Sequence, residues 1–188
     1  IFNDELREEL SSILNKITGV TIDRELSGDG NSAQVSAASL RSTATGRAKR
    51  VVTTNEGFGT NQLIHLISQV LVTPAGGTVL VEEPEAHLHP FGQFELANFV
   101  ADHSNVNNRQ FLITTHSERF LAGLLWQVRQ EVLDPSDIIV HYFTLDEDGH
   151  FVHQRKGVTH GGIVEGSFRE FSPPPDVPDW EEFFRGLG

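Results

Sequence analysis

A chain of 188 residues with 38% hydrophobic content is long enough for one domain with one buried core, or for a large piece of a bigger domain. Its 14 Lys and Arg against 26 Asp and Glu give a formal net charge of -12, which argues against a broad non-specific nucleic-acid surface and leaves room only for a local DNA contact. With no cysteine there are no disulfides, thiolate metal sites or cysteine nucleophiles; no apolar run reaches the length of a membrane span, and the start IFNDELREEL is acidic where a secretory signal is basic.

These features predict a cytoplasmic protein with no membrane partner. The sequence also holds no Met, even at position 1, which is expected of a piece of a longer polypeptide.

From Asp4 to Ile17 the residues Leu6, Leu10, Ile13, Leu14 and Ile17 recur at helical spacing, with Gly19 just past the end. Val20 to Leu26 and Ala33 to Leu40 read as strands joined by the turn-forming run SGDGN, a hairpin. Arg41 to Arg50, RSTATGRAKR, is polar and basic, and is expected to be a surface loop. An apolar helix then runs from Gly59 to Val72, a short strand covers Thr78 to Val81, and a helix with Pro in its first turn spans Pro90 to Asp102. Gln110 to Thr114 is a second apolar strand, followed by a helix that Ser117 caps. This strand-helix-strand-helix order, with strands too short and apolar to be half exposed, predicts a parallel sheet covered by helices. Beyond Asp137, IIVHYFTL and HFVHQRK flank the turn DEDG as a second hairpin, and the tail WEEFF is expected to dock as a short helix.

The chemistry concentrates in TVLVEEPEAHLHP, residues 78 to 90. An apolar strand ending in adjacent acids puts Glu82 and Glu83 at the carboxyl edge of the sheet, where open α/β folds bind ligands. One acid can hold hydrated magnesium while its neighbour polarises a water for attack on a terminal phosphate. FLITTHS, residues 111 to 117, ends a second strand in Thr115, His116 and Ser117. A histidine there can donate to a phosphate oxygen or to the water-orienting carboxylate. Upstream, NEGFGTNQL at 55 to 63 opens a helix with glycines whose free amides suit an anion.

In this order the three segments resemble the C-terminal half of an ABC-type ATPase domain, within the AAA-family group that includes the ATPase domains of OLD-like nucleases and phage-defence ATPases. VLVEEPE is similar to the Walker B strand, AHLHP to the D-loop, TTHS to the H-loop and FGTNQ to the signature; Gln62 stands twenty residues before Glu82, a spacing similar to the family's. The resemblance implies an α/β fold of the P-loop NTPase type, a partial domain with a parallel sheet core flanked by helices and β-hairpin additions. Residues 1–54 would form a helix, hairpin and basic loop, and 55–188 the C-terminal part of the ATPase domain.

The resemblance further implies ATP and Mg2+ as cofactors, Glu82 as the magnesium-associated acid, Glu83 as catalytic base and His116 as switch histidine. Gly59, Thr60, Asn61 and Gln62, with His89 of the D-loop, would contact nucleotide across a homodimer. Two departures are evident: Glu82 replaces the usual aspartate, and the signature lacks Ser-Gly-Gly. The larger departure is the lack of any G-x-x-x-x-G-K-[ST] loop; the only lysines are Lys16, Lys49 and Lys156. The chain alone is therefore expected to bind ATP poorly and to need a missing N-terminal ATPase portion, in the same longer chain or in a partner.

Two other readings compete. His87 and His89 form an H-x-H pair near Glu83 and Glu85, with His116 as a third ligand, the composition of a metallohydrolase. A non-catalytic pseudo-ATPase module would keep the carboxylates as structure alone. The basic residues Arg41, Arg47, Lys49 and Arg50 are a candidate DNA contact, or simply a solvated loop.

Overall fold

Leu10, Leu14 and Ile17 recur every three to four residues, and that spacing buries one stripe of helix α1 (Asp4–Thr18). Gly19, at φ 75°, ends the helix in the left-handed conformation while its N–H donates to the Asn15 carbonyl at 2.8 Å. The computed structural model describes residues 4–26, 33–39, 49–52 and 58–166. Two compact units are distinguished, Ile1–Leu121 and Ala122–Gly188.

In the first unit, α1 leads into β1 (Val20–Leu26), which pairs antiparallel with β2 (Ala33–Ser39). Ser11 Oγ anchors the helix to this sheet, accepting from Ile22 N at 3.0 Å and donating to Ile22 O at 3.3 Å. The expected hairpin is present, and a third strand, β3 (Lys49–Val52), pairs with β2. Lys49 and Arg50 thus belong to a strand where the sequence reads as loop. Their polarity concealed this, because a ladder along β2 is made by backbone groups whatever the side chains. The rest of the basic stretch lies outside the described residues.

Helix α2 (Phe58–Val72) buries Leu63, Ile67 and Val70 completely, and it packs against α1 and β4 (Thr78–Glu82). Helix α3 (Pro90–Asn107) places Pro90 where a missing N–H costs nothing, and it packs against α1 and β5 (Gln110–Thr114). It runs past the expected end at Asp102 and stops where Asn108 turns left-handed, at φ 49°. Strands β4 and β5 pair in parallel from Thr78↔Gln110 to Glu82↔Thr114. The Arg109 Nε–H, donating to the Thr73 carbonyl at 2.9 Å, ties the segments that enter the two strands.

Alternation along β4 and β5 gives the sheet two unlike faces. Val79 is buried and Val81, Phe111 and Ile113 are partly buried. On the other face Leu80 and Leu112, directly paired in register, are 72% and 59% exposed. The described helices therefore cover one face of a sheet whose apolar strands predicted two covered faces.

The boundary between the units falls within α4 (Glu118–Arg129). In the second unit Ala122, Val128 and Leu133 are buried, and Asp134 caps a 3-10 turn, Pro135–Asp137, by accepting from Ser136 N at 2.8 Å. Strands β6 (Val140–Leu145) and β7 (Phe151–Lys156) form the second expected hairpin. The tail WEEFF lies outside the described residues. Among the described residues no helix is long and apolar enough to cross a membrane.

Candidate active site at the paired strand ends

Because β4 and β5 run parallel and in register, both strands end at the same edge of the sheet. Glu83 extends the ladder by one bond, its N–H donating to the Thr114 carbonyl at 2.8 Å. The backbone there turns left-handed, at φ 42°, a conformation uncommon for a residue with a Cβ. Two donors hold the turn, since the Glu83 carbonyl accepts from Ala86 N at 3.0 Å and from Gln62 Nε2 at 3.3 Å. Glu83 Oε1 then lies 3.3 Å from His116 Nε2. His116 is 90% exposed and Glu83 51%, so the pair is solvated; it adds little to stability, and its significance is orientation. Glu82 is exposed at the last position of β4.

The residues flanking His116 are held tightly. Thr115 Oγ1 donates a hydrogen bond to Glu85 Oε1, and accepts from Ser117 N at 2.9 Å. Ser117 Oγ accepts from Phe120 N at 3.1 Å, capping α4 as expected, and donates to Gln93 Oε1 at 2.7 Å. Gln93 Nε2 in turn donates to the Leu88 carbonyl at 3.1 Å. Glu85 is only 4% exposed, and its Oε2 has no partner among the described residues. The sequence offered Glu85 only as a neighbour of the H-x-H pair and gave no expectation of this burial. The available signal was the neighbouring Pro84, an apolar residue that is itself fully buried.

The glycine-opened helix start contributes at two places. Gln62 reaches the Glu83 turn, whereas Gly59, Thr60 and His89 line a cavity of about 460 Å³ between the C-terminal end of α1 and the N-terminal ends of α2 and α3. Neither Glu83 nor His116 lines that cavity. Gly59 is packed so closely that a Cβ there would meet the His87 carbonyl oxygen at 2.9 Å. His89 Nδ1 accepts from Phe91 N at 3.4 Å, capping α3. Asn61, on the same turn, is partly buried.

The metallohydrolase set is not assembled. Among the described residues, the group of three or more metal-capable side chains is Asp146, Asp148 and His150 in the exposed turn between β6 and β7, not His87, His89, Glu83, Glu85 and His116. Glu82 and Glu83 offer exposed carboxylate oxygens and no nitrogen or sulfur, a donor set that fits a hydrated magnesium ion.

The family described as "AAA domain, putative AbiEii toxin, Type IV TA system" matches residues 3–122, and the chain belongs to that family. Within it, the chain carries the C-terminal motifs of an ABC-type ATPase domain. No curated protein sequence matches the chain.

Among solved structures, the fold is similar to an SMC ATPase described for its ATP-driven dimerisation and DNA-stimulated activation, with a TM-score of 0.53, 16% identity, and coverage of 82% of this chain and 84% of that one. It is also similar to the SMC head domain with coiled coil and joint from Pyrococcus yayanosii, with a TM-score of 0.53, 17% identity, and coverage of 82% of this chain and 27% of that one. A third likeness is to the SMC head domain with an extended coiled coil, bound to the C-terminal domain of ScpA, from Pyrococcus furiosus: TM-score 0.51, 16% identity, 79% of this chain and 34% of that one. The chain thus spans about a third or less of the two archaeal proteins.

Proposed function

We propose that this chain supplies the water-activating carboxylate and the phosphate-sensing histidine of a composite ATP-hydrolysing site. The observation that carries the reading is the 3.3 Å approach of Glu83 to His116 at the shared end of two parallel strands. In this reading Glu83 orients and polarises the attacking water, and His116 donates to the terminal phosphate and so reports its presence. Glu82, with Glu83, would hold Mg2+ through its water shell; the bound ion neutralises charge on the phosphate oxygens. Gly59, Thr60, Asn61, Gln62 and His89 would face nucleotide carried by a second copy.

The phosphate-cradling loop would come from another portion of the ATPase, in the same longer chain or in a partner. The bare face of the β4–β5 sheet supports this, because parallel sheets are normally covered on both faces and paired leucines are poor solvent-facing residues. ATP-driven homodimerisation in a cytoplasmic, DNA-related or defence process follows as the wider function. Its support is the described dimerisation and DNA stimulation of the SMC ATPase and the toxin–antitoxin description of the family. Arg41, Arg47, Lys49 and Arg50 remain the proposed DNA contact.

Glu83→Gln in the complete ATPase tests the reading. The carboxamide keeps the size of the side chain but no longer accepts a proton, so turnover should fall about 10²- to 10⁴-fold. ATP-dependent dimerisation, followed by light scattering, should persist. Unchanged turnover would end the assignment.

A further inference from the structure

We propose that Glu85 and Thr115 form a positioning pair that brings Glu83 and His116 into register; the inference rests on the ATPase reading above. Each member lies next to the site in sequence: Thr115 immediately precedes His116, and Glu85 follows Glu83 with only Pro84 between them. Their hydrogen bond, from Thr115 Oγ1 to Glu85 Oε1, joins the turn after β4 to the turn after β5 just beyond the last paired residues, Glu82 and Thr114. The sheet ladder aligns the strands as far as the Glu83 N–H, the last backbone bond between them. A side-chain link is needed there if the distance between an exposed carboxylate and an exposed imidazole is to be fixed.

Burial supports a role beyond packing. Glu85 is almost wholly enclosed, yet one of its two oxygens finds no partner among the described residues. A buried, half-satisfied carboxyl group destabilises a fold relative to an apolar side chain of similar size. Pro84 beside it is fully buried and rigid, so Glu85 reaches Thr115 from a fixed base. Thr115 is equally constrained, because its hydroxyl also accepts the Ser117 N–H and so sets the backbone on both sides of His116.

The pair is tested by turnover in the complete ATPase. Thr115→Val and Glu85→Leu remove the hydrogen bond at near-constant volume, and each should lower kcat about ten- to a hundredfold while leaving KM for ATP within about threefold. Thr115→Ser and Glu85→Gln keep a hydroxyl donor and a carbonyl acceptor, and should retain kcat within about threefold of the parent. The double change Thr115→Val with Glu85→Leu should cost no more than either alone, as expected of two residues acting through one bond. Thermal unfolding of every variant identifies any that fail to fold; if Glu85→Leu does, Thr115→Val against Thr115→Ser carries the test. Parental kcat in Thr115→Val, or equal losses in Thr115→Val and Thr115→Ser, would overturn the proposal. Glu83→Gln run in parallel separates the two claims: if it abolishes turnover while Thr115→Val does not, the positioning pair fails and the ATPase reading stands.

Discussion

Gln62 Nε2 donates to the Glu83 carbonyl oxygen at 3.3 Å, so the opening turns of α2 hold the left-handed residue that follows β4. The helix start and the carboxylate are therefore one mechanical unit within a single chain. Gln62→Leu should remove one neutral hydrogen bond, worth about 1 kcal/mol of stability, and release the Glu83 turn. Turnover of the complete ATPase should fall about tenfold, a loss that steady-state assays with ATP will measure. Parental turnover would show that the turn holds without this tether.

Gly59 predicts a steric effect. A Cβ added at this position would lie 2.9 Å from backbone, the His87 carbonyl oxygen, not from the end of a flexible side chain. Gly59→Ala should destabilise the first unit by about 1–3 kcal/mol, visible as a lower denaturant midpoint with unchanged slope. A midpoint equal to the parent's would mean that the His87 turn yields freely.

His103 predicts a pH dependence of stability. Burial holds its imidazole below the ordinary value of 6.5, with Arg109 acting in the same direction and the Phe99 carbonyl, Glu9 and Asp102 opposing. Nδ1–H donates to the Phe99 carbonyl at 3.0 Å, and the ring lies against the Phe99 ring with centroids 4.2 Å apart. With the folded value depressed, the unfolded chain takes up the proton first as pH falls, so the stabilisation present above 6.5 is lost below it. Unfolding free energies measured at about pH 7.5 and about pH 5.5 should differ less in His103→Phe than in the parent. An equal difference would place the dependence on other groups.

The bare sheet face is where the phosphate-loop portion proposed above is expected to dock. Leu80→Arg should abolish assembly with the phosphate-loop portion, because an unpaired charge would be buried at the junction. Val106→Arg on α3, at a residue 81% exposed, is the control and should assemble normally. Co-purification of the two portions reads the outcome; normal assembly of Leu80→Arg would mean that this face stays in solvent.

Much of the site was legible because its signal is local. Apolar runs ending in EE and in THS name two strands and their ends without reference to anything distant, and parallel pairing then brings Glu83 to His116. What escaped depends on packing. Glu85 stands just past the strand, beside the H-x-H pair, and only the third dimension buries it against Thr115. Strand β3 escaped because Lys49 and Arg50 pair through backbone groups. The length of α3 escaped because its last turn, Ser104 to Asn107, holds a single apolar residue, the exposed Val106, and so no apolar stripe, although Asn108 was an available stop signal.

Strands β4 and β5 pair only with each other among the described residues. Each therefore keeps an outer row of amide and carbonyl groups outside any ladder, next to the exposed Leu80 and Leu112. Such an edge recruits whatever strand comes near, including one from another molecule. Produced by itself, this polypeptide should tend to clump through those rims, and co-production with the proposed phosphate-loop portion should suppress it.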